Sequence, residues 1–144
     1  MEKEFFMCKT DSEFMVLTQN KDCHIVTQEL NIQPDRYHQK GEKTLNKFSP
    51  NPAIRQSGLW AISKISVTEG TCISEHIKHF QSILEDKIQA IEKLKQYYGF
   101  ECVFYVLIET EDAGAGFDLD EAELSFINKI SSRFTCSFVI NEHL

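Results

Sequence analysis

The longest regular pattern of apolar residues in the chain lies within residues 73–100. Steps of three and four residues place these side chains on one face of a helix: Ile73, Ile77, Phe80, Leu84, Ile88, Ile91, Leu94 and Tyr98. Gly99 follows the pattern and can adopt the left-handed conformation that ends a helix, with Phe100 folding back onto Leu94. The sequence therefore predicts an amphipathic helix over residues 74–98, about 37 Å long at 1.5 Å per residue.

Other apolar segments predict β-strands. Residues 102–108 are apolar on both faces, so this strand is expected in the interior of a sheet. Residues 134–140 alternate between apolar and polar side chains, with Phe134, Cys136, Phe138 and Ile140 expected to face inward. Further strands are predicted at residues 13–19 and 58–63, and a short one at residues 4–8.

Two shorter helices have recognisable starts. Asp22 is an expected N-cap for a helix over residues 23–30, which Pro34 would end. Asp120 and Glu123 have the spacing of a capping box before a helix over residues 121–130. That helix is expected to bury Leu124, Ile127 and Ile130.

Strands that alternate with three helices favour an α+β fold, a ferredoxin-like sandwich with a mixed or antiparallel sheet and helices packed on one face. A doubly wound parallel sheet is the alternative, but the chain lacks a Gly-rich turn between a strand and a helix. The length of 144 residues fits one domain, residues 1–144. The second face of the sheet would then need a cover, which a homodimer or a returning loop could supply.

Residues 33–58 break the periodic pattern. They contain all three prolines and five basic residues against two acids, a local charge of +3, so the rest of the chain carries −10. The basic residues are Arg36, Lys40, Lys43, Lys47 and Arg55. The segment is predicted to be a long irregular excursion with a short edge strand at residues 36–38.

This basic excursion supplies most of the candidate binding residues. It mixes cations with aromatic side chains, a composition that can hold a phosphate or an acidic partner. We predict a binding role for Arg36, Tyr37, Lys40, Arg55 and Trp60. The alternative is a solvated loop that only links two strands.

The remaining polar clusters do not form a recognisable catalytic or metal site. His76 and His79 are three residues apart on the long helix, but no third ligand stands at a matching spacing, and both are expected on its solvated face. The seven acids within residues 109–123 do not have the ligand spacing of a calcium loop. Cys23 and His24 are adjacent and do not face each other on a helix. The sequence therefore predicts no catalytic residues, no metal and no cofactor.

Composition narrows the class of protein further. A net charge of −7 argues against general affinity for nucleic acid, and no apolar run reaches the roughly 18 residues of a membrane span. The N-terminal residues lack the layout of a signal peptide. Five scattered cysteines without a CxxC pair fit reduced thiols. These features predict a cytoplasmic protein.

Several short motifs, in chain order, resemble the DUF4279 family, a bacterial domain of unknown function. They are Leu30-Asn31-Ile32-Gln33-Pro34, Tyr37, Lys40-Gly41-Glu42, Gly58-Leu59-Trp60 and Gly116-Phe117-Asp118-Leu119. The likeness runs from about Glu13, while the insert between Glu42 and Gly58 departs from the usual pattern. The resemblance implies a small α+β domain without established catalytic residues. By analogy, small bacterial domains of this kind are often immunity proteins beside toxins.

These observations favour a cytosolic protein-interaction module without enzymatic activity, an immunity-type or regulatory protein that binds a partner protein. The first alternative is a domain that binds a small molecule or anion through residues 33–58. The second is an enzyme of unrecognised type. An interaction module should have separated acidic and basic surfaces, whereas an anion binder should have a concave site beside the Trp60 strand.

Overall fold

The computed structural model describes residues 6–44 and 53–144. The elements in chain order are β1 (Met7–Gln19), α1 (His24–Leu30), β2 (Arg36–His38), β3 (Lys43–Thr44), β4 (Ala53–Ile54), β5 (Gly58–Glu69), α2 (Ile73–Leu84), a 3-10 turn (Glu85–Lys87), α3 (Ile88–Gln96), β6 (Glu101–Thr110), α4 (Glu121–Ile130) and β7 (Arg133–Ile140). Five strands form one mixed sheet in the order β2-β5-β1-β6-β7, and β3 pairs with β4 in a separate hairpin. Strand β7 is parallel to β6, and the other neighbours in the sheet are antiparallel.

The hydrophobic core lies between one face of this sheet and the helices. Side chains alternate between the two faces of a strand, and every sheet residue in the core cluster has an even number. These residues are Cys8, Phe14, Val16, Trp60, Ile62, Cys102, Phe104, Val106 and Ile108. Each large side chain buried there contributes roughly 1.5–3 kcal/mol of transfer free energy. The predicted α+β class, the mixed sheet and the placement of the helices on one face are confirmed.

Strand β1 is longer than the sequence pattern indicates. A strand over residues 13–19 was expected to follow a separate one at residues 4–8, of which residues 4 and 5 lie outside the described residues. The structure has a single strand of 13 residues that pairs with β5 on one side and β6 on the other. Its first half carries Thr10 and Ser12 on the buried face, so hydrophobicity could not reveal it.

The predicted long helix is divided by the 3-10 turn. Its apolar residues nevertheless face the core on both sides of the turn, because Phe80, Leu84, Ile91 and Leu94 are all fully buried. Helix α2 packs on β1 and α4, whereas α3 packs on α1 and α4. A continuous α-helix was therefore the wrong expectation, and one tightened turn lets the two halves meet different neighbours.

The predicted end of this helix is confirmed. Gly99 has φ +69°, and the N–H of Phe100 donates to the carbonyl oxygen of Leu94 at 3.0 Å. This bond satisfies a carbonyl group in the last turn of the helix, and it spans one residue more than the long bond of a Schellman motif. Phe100 is buried.

Helix α4 confirms one prediction and corrects another. The N–H of Glu123 donates to Oδ1 of Asp120 at 2.8 Å, and the N–H of Asp120 donates to Oε1 of Glu123 at 3.0 Å. The capping box is therefore present. Leu124, however, is exposed, and Phe126 is buried instead. In a helix of three turns the apolar residues allow two assignments of the buried face, and the packing of α4 on β6 and α2 selects the second.

Candidate functional site

Two hydrogen bonds of Asp35 attach the chain to β5 just before β2 begins. The N–H of Asp35 donates to the carbonyl oxygen of Ala61 at 2.8 Å, and Oδ2 of Asp35 accepts from the N–H of Ser63 at 2.7 Å. Pro34 precedes these two bonds and disfavours a helical conformation in the residue before it. The three residues that follow pair with β5, so β2 forms one edge of the sheet.

The chain then folds into the β3–β4 hairpin beside this edge. Gly41 has φ +90°, a conformation that other residues rarely adopt, and its N–H donates to the carbonyl oxygen of Arg55 at 2.8 Å. The N–H of Arg55 donates in turn to the carbonyl oxygen of Glu42 at 2.8 Å. Part of the predicted irregular excursion is therefore regular structure, which the hydrophobic pattern missed because both strands have only two residues. Lys47 and Phe48 of the excursion lie outside the described residues.

A cleft of about 370 Å³ lies between β2 and this hairpin. Its lining residues are Arg36, Tyr37, His38, Glu42, Lys43, Thr44 and Arg55. We call it the basic cleft, because its lining has two arginines and one lysine but only one acid, Glu42. The volume lies at the lower end of the range for pockets that bind small molecules.

An ion pair with Glu13 holds the Arg36 side chain at this edge of the sheet. Its Nε lies 2.8 Å from Oε2 of Glu13 on β1, and Nη2 lies 2.9 Å from Oε1. The hydrogen bonds that Arg36 donates to Glu13 raise the pKa of the guanidinium, against a smaller opposing effect of burial. Since Glu13 balances this charge, the attraction of the basic cleft for an anion depends mainly on Lys43 and Arg55.

The pKa of His38 is affected by the positive charges of the basic cleft. Its side chain is half-buried, and Nδ1 is shielded from solvent without a hydrogen-bond partner among the described residues. Burial lowers the pKa of His38, and the nearby charges of Arg55 and Arg36 lower it further. The imidazole is therefore neutral at pH 7.

The structure brings together three of the five predicted binding residues. Arg36, Tyr37 and Arg55 line the basic cleft, and Tyr37 is exposed with its ring 5.0 Å from that of His24. Lys40 is exposed in the turn before the hairpin and is not among the lining residues. The sequence argument included Lys43 only as part of the basic excursion and gave no signal for His38.

Trp60 belongs to the core and not to the cleft. It is the Cα partner of Tyr37 in the neighbouring strand, but its side chain is fully buried against the helices. Its Nε1 donates to Oγ1 of Thr27 at 3.0 Å, and its ring lies edge-on to Phe14 at 6.3 Å. The expectation that Trp60 faces a pocket was wrong, because its side chain points to the face of the sheet that the helices cover.

A comparison with protein families matches nearly the whole chain. The family model described as Domain of unknown function (DUF4279) matches residues 8–139, which include the whole five-stranded sheet except for its outermost residues. The chain belongs to the DUF4279 family. No curated protein and no solved structure matches it. Among residues 6–44 and 53–144 of this DUF4279 domain, no helix has the length and apolar character needed to cross a membrane.

The DUF4279 domain has a second polar cluster, inside its core. His76 was expected on the solvated face of the long helix, yet it is fully buried. Its Nδ1 lies 2.7 Å from Oγ of Ser12, and its Nε2 lies 3.0 Å from Oγ of Ser66. His76 can be buried because two hydroxyl groups on the covered face of the sheet satisfy both of its ring nitrogens. Hydropathy along the helix alone could not reveal those partners.

Three potential metal ligands meet at the start of α1 in the DUF4279 domain. Ligand atoms of Asp22, Cys23 and His24 lie within 4.8 Å of one another. The arrangement has a structural explanation, because Oδ1 of Asp22 accepts from the N–H of His24 at 2.9 Å and from Nε2 of Gln39 at 2.7 Å. Burial and the nearby Asp22 raise the pKa of the Cys23 thiol, which disfavours the thiolate that a metal or a nucleophilic reaction requires.

The acidic turn between β6 and α4 is engaged in structural contacts. Oε1 of Glu111 accepts from the N–H of Met7, Oδ1 of Asp112 accepts from the N–H of Gly114, and Asp120 with Glu123 forms the capping box. Glu109 lies 3.6 Å from Lys9. In the part of the chain that the structure describes, this turn contains no group of three ligands close enough to hold a metal ion.

Proposed function

We propose that this DUF4279 domain binds a small anionic ligand in the basic cleft, without catalysing a reaction on it. The observation that carries the proposal is the cleft of about 370 Å³ that Lys43, Arg55 and His38 line together. Phosphate and carboxylate groups are the anions that such a set recognises, because charged hydrogen bonds to them are short and strong.

The backbone of the hairpin positions Lys43 and Arg55 in the cleft. Hydrogen bonds to Gly41 and Glu42 fix the main chain of Arg55, and Lys43 is paired with Ile54 in the β3–β4 ladder. Their side chains are exposed, so a ligand can reach them without opening the core. Glu13 already accepts hydrogen bonds from two nitrogens of Arg36. Arg36 therefore shapes the cleft more than it adds positive charge to it.

Tyr37 adds a preference for the rest of the ligand. Its exposed ring lines the cleft, and an aromatic face favours contact with a planar group. An anion attached to a planar ring, such as a nucleotide or another phosphorylated metabolite, therefore fits better than an inorganic ion. The size of the cleft is compatible with one such molecule.

A thermal-shift screen of nucleotides and phosphorylated metabolites tests the proposal, because a ligand of the native state raises its apparent stability. Lys43→Ala and Lys40→Ala form a matched pair: each removes one exposed lysine from the same segment, but only Lys43 lines the cleft. Titration of the best ligand should give a Kd roughly tenfold or more higher for Lys43→Ala, as expected for the loss of a charged hydrogen bond. Lys40→Ala should bind nearly as the parent protein does.

Two outcomes would reject the proposal. If no compound stabilises the parent protein, the cleft is not a small-anion site. If both lysine variants weaken binding equally, the effect comes from net charge and not from the cleft.

A second candidate is an acidic segment of a partner protein, as in an immunity-type or regulatory pair. The exposure of Tyr37, Lys43 and Arg55 at the edge of the sheet favours it, because a segment too large to enter the cleft could still contact these side chains. Affinity purification from the native host should then recover a stoichiometric partner, and Lys43→Ala should weaken its capture. Capture that is unaffected by Lys43→Ala would place the partner elsewhere.

A further inference from the structure

Glu42 is the one acid among the described residues that line the basic cleft. Its main chain is fixed, because its carbonyl oxygen accepts from the N–H of Arg55 at 2.8 Å and its N–H donates to the carbonyl oxygen of Gln39 at 3.3 Å. The register of the hairpin, in which Lys43 pairs with Ile54, places Glu42 directly opposite Arg55. The side chains of these two residues therefore lie on the same face of the hairpin.

Glu42 and Arg55 do not neutralise each other. In the described part of the chain, neither the carboxylate of Glu42 nor the guanidinium of Arg55 has an ion pair or a side-chain hydrogen bond. Both side chains are exposed, so a ligand in the cleft can contact them. Burial lowers the pKa of His38 and the charge of Glu42 partly opposes this effect, which shows that the carboxylate acts across the cleft on β2.

The charges of the lining suit a ligand with a single phosphate. Lys43 and Arg55 are positive and Glu42 is negative. The Glu13 carboxylate offsets the charge of Arg36. The described lining residues therefore have one positive charge in excess, on a chain whose net charge is −7. A diphosphate or triphosphate would add negative charge beside Glu42 without a further cation to balance it.

The position of Glu42 favours a ligand that also donates hydrogen bonds. A bare anion would only be repelled by the carboxylate, whereas a hydroxyl group can donate to it. A ribose has two neighbouring hydroxyl groups close to its 5′-phosphate, one for each carboxylate oxygen. In dinucleotide-binding folds a carboxylate holds the ribose in this way. With Arg55 opposite Glu42 and Tyr37 on the β2 side of the cleft, the phosphate, the ribose and the base each meet a suitable side chain.

We infer that the basic cleft is selective for ribonucleoside monophosphates, with Glu42 accepting hydrogen bonds from the two ribose hydroxyl groups. The inference rests on the proposed function, because it names the ligand class of the same cleft. Glu42 is then the residue that distinguishes a ribonucleotide from a deoxyribonucleotide and from inorganic phosphate.

Calorimetric titration of the parent protein with the four ribonucleoside 5′-monophosphates identifies the best ligand, and the 2′,3′-dideoxy counterpart of that ligand lacks both hydroxyl groups. The dideoxy compound should bind roughly tenfold or more weakly, as expected for the loss of hydrogen bonds to a charged group. The triphosphate of the same nucleoside should bind no more tightly than the monophosphate.

Glu42→Ala removes the acceptor. The ribonucleotide and its dideoxy counterpart should then bind with affinities within about twofold of each other, and inorganic phosphate should bind more tightly than it does to the parent protein. The matched control is Glu142→Ala, which removes the same charge from an exposed residue just after β7, at the opposite edge of the sheet. This control should keep the preference for the ribonucleotide.

The outcomes separate this inference from the proposed function. A parent protein that binds neither the nucleotides nor inorganic phosphate would reject both. Equal binding of the ribonucleotide and the dideoxy compound by the parent protein would leave anion binding in place and overturn the inference, and this comparison needs no variant. A ribose preference that persists in a folded Glu42→Ala variant, as judged by far-UV circular dichroism, would also overturn it. Tighter binding of the triphosphate would overturn the selectivity for a single phosphate.

Discussion

Oγ of Ser12 lies 2.7 Å from Nδ1 of His76 across the boundary between β1 and α2. Both residues are fully buried, so this pair is a polar contact inside the hydrophobic core. Ser66 completes it from β5 by contacting Nε2 at 3.0 Å. The cluster therefore ties two strands of the sheet to the first turn of a helix through one imidazole ring.

The protonation of His76 should make the stability of the protein depend on pH. Burial, together with smaller effects of the charges of Lys64 and His79, lowers the pKa of His76 from 6.5 to about 4. Between these two values the unfolded chain binds a proton that the folded chain does not. The contribution of His76 to the free energy of unfolding should therefore be complete above about pH 6.5. The free energy of unfolding should fall by roughly 3 kcal/mol as the pH decreases toward 4. Urea unfolding at a series of pH values measures this loss.

His76→Leu is the control for this pH dependence. It removes the titrating group, so the free energy of unfolding should depend less on pH between 6.5 and 4 than in the parent protein. A pH dependence that is unchanged in His76→Leu would assign the effect to other groups.

The two serines of the cluster should differ in their contribution to stability. Ser12→Ala leaves Nδ1 of His76 buried without a partner, and we expect a loss of about 1–3 kcal/mol in the free energy of unfolding. Ser66 is only partly buried, so water can replace its hydroxyl group, and Ser66→Ala should cost less. Chemical denaturation of the two variants makes the comparison. Equal losses, or a larger loss for Ser66→Ala, would contradict this account.

Gly58 should not tolerate a side chain. A Cβ atom there would collide with Oγ1 of Thr18, which is a buried atom on the adjacent strand. Gly58→Ala should lower the free energy of unfolding by roughly 1–3 kcal/mol, the usual cost of overpacking. Gly116→Ala is the matched control, because a Cβ at Gly116 meets nothing within 4 Å. Thermal denaturation of both variants should show a lower Tm for Gly58→Ala alone, and a similar Tm for the two would refute the steric argument.

Anion binding in the basic cleft should strengthen as the pH falls. Burial and two arginines lower the pKa of His38, and a bound anion would favour its protonated form and raise that pKa. Binding is then coupled to proton uptake, so Kd should decrease as the pH is lowered from about 8 toward 6. Calorimetric titration of the parent protein and of His38→Gln tests this. The variant should show a weaker dependence on pH, and equal dependence in both would remove His38 from the site.

The elements whose causes are local were predictable from the sequence. The cap at Gly99 and Phe100 and the capping box at Asp120 and Glu123 depend on residues a few positions apart, and both are present. The strand over residues 102–108 was expected in the interior, and β6 is flanked by β1 and β7. The family resemblance was confirmed by the match over residues 8–139.

The candidate site was predictable only in part. The local excess of basic residues pointed to Arg36 and Arg55, because composition is visible along the chain. Which cations share a cleft depends on the pairing of residues 41–42 with Arg55, and hydrophobicity gives no signal for such short strands. Trp60 was misassigned because its face of β5 is set by the register with β1.

The sequence by itself determined which segments are helical, the caps at Gly99 and Asp120 and the α+β class, since these depend on the periodicity of apolar residues and on capping within a few positions. Tertiary structure decided the length of β1, the burial of His76 and the lining of the basic cleft. The physical reason is that a polar group can be buried when its partner arrives from a distant part of the chain. Ser12 and His76, which are 64 residues apart, become neighbours only when the sheet and the helix pack together.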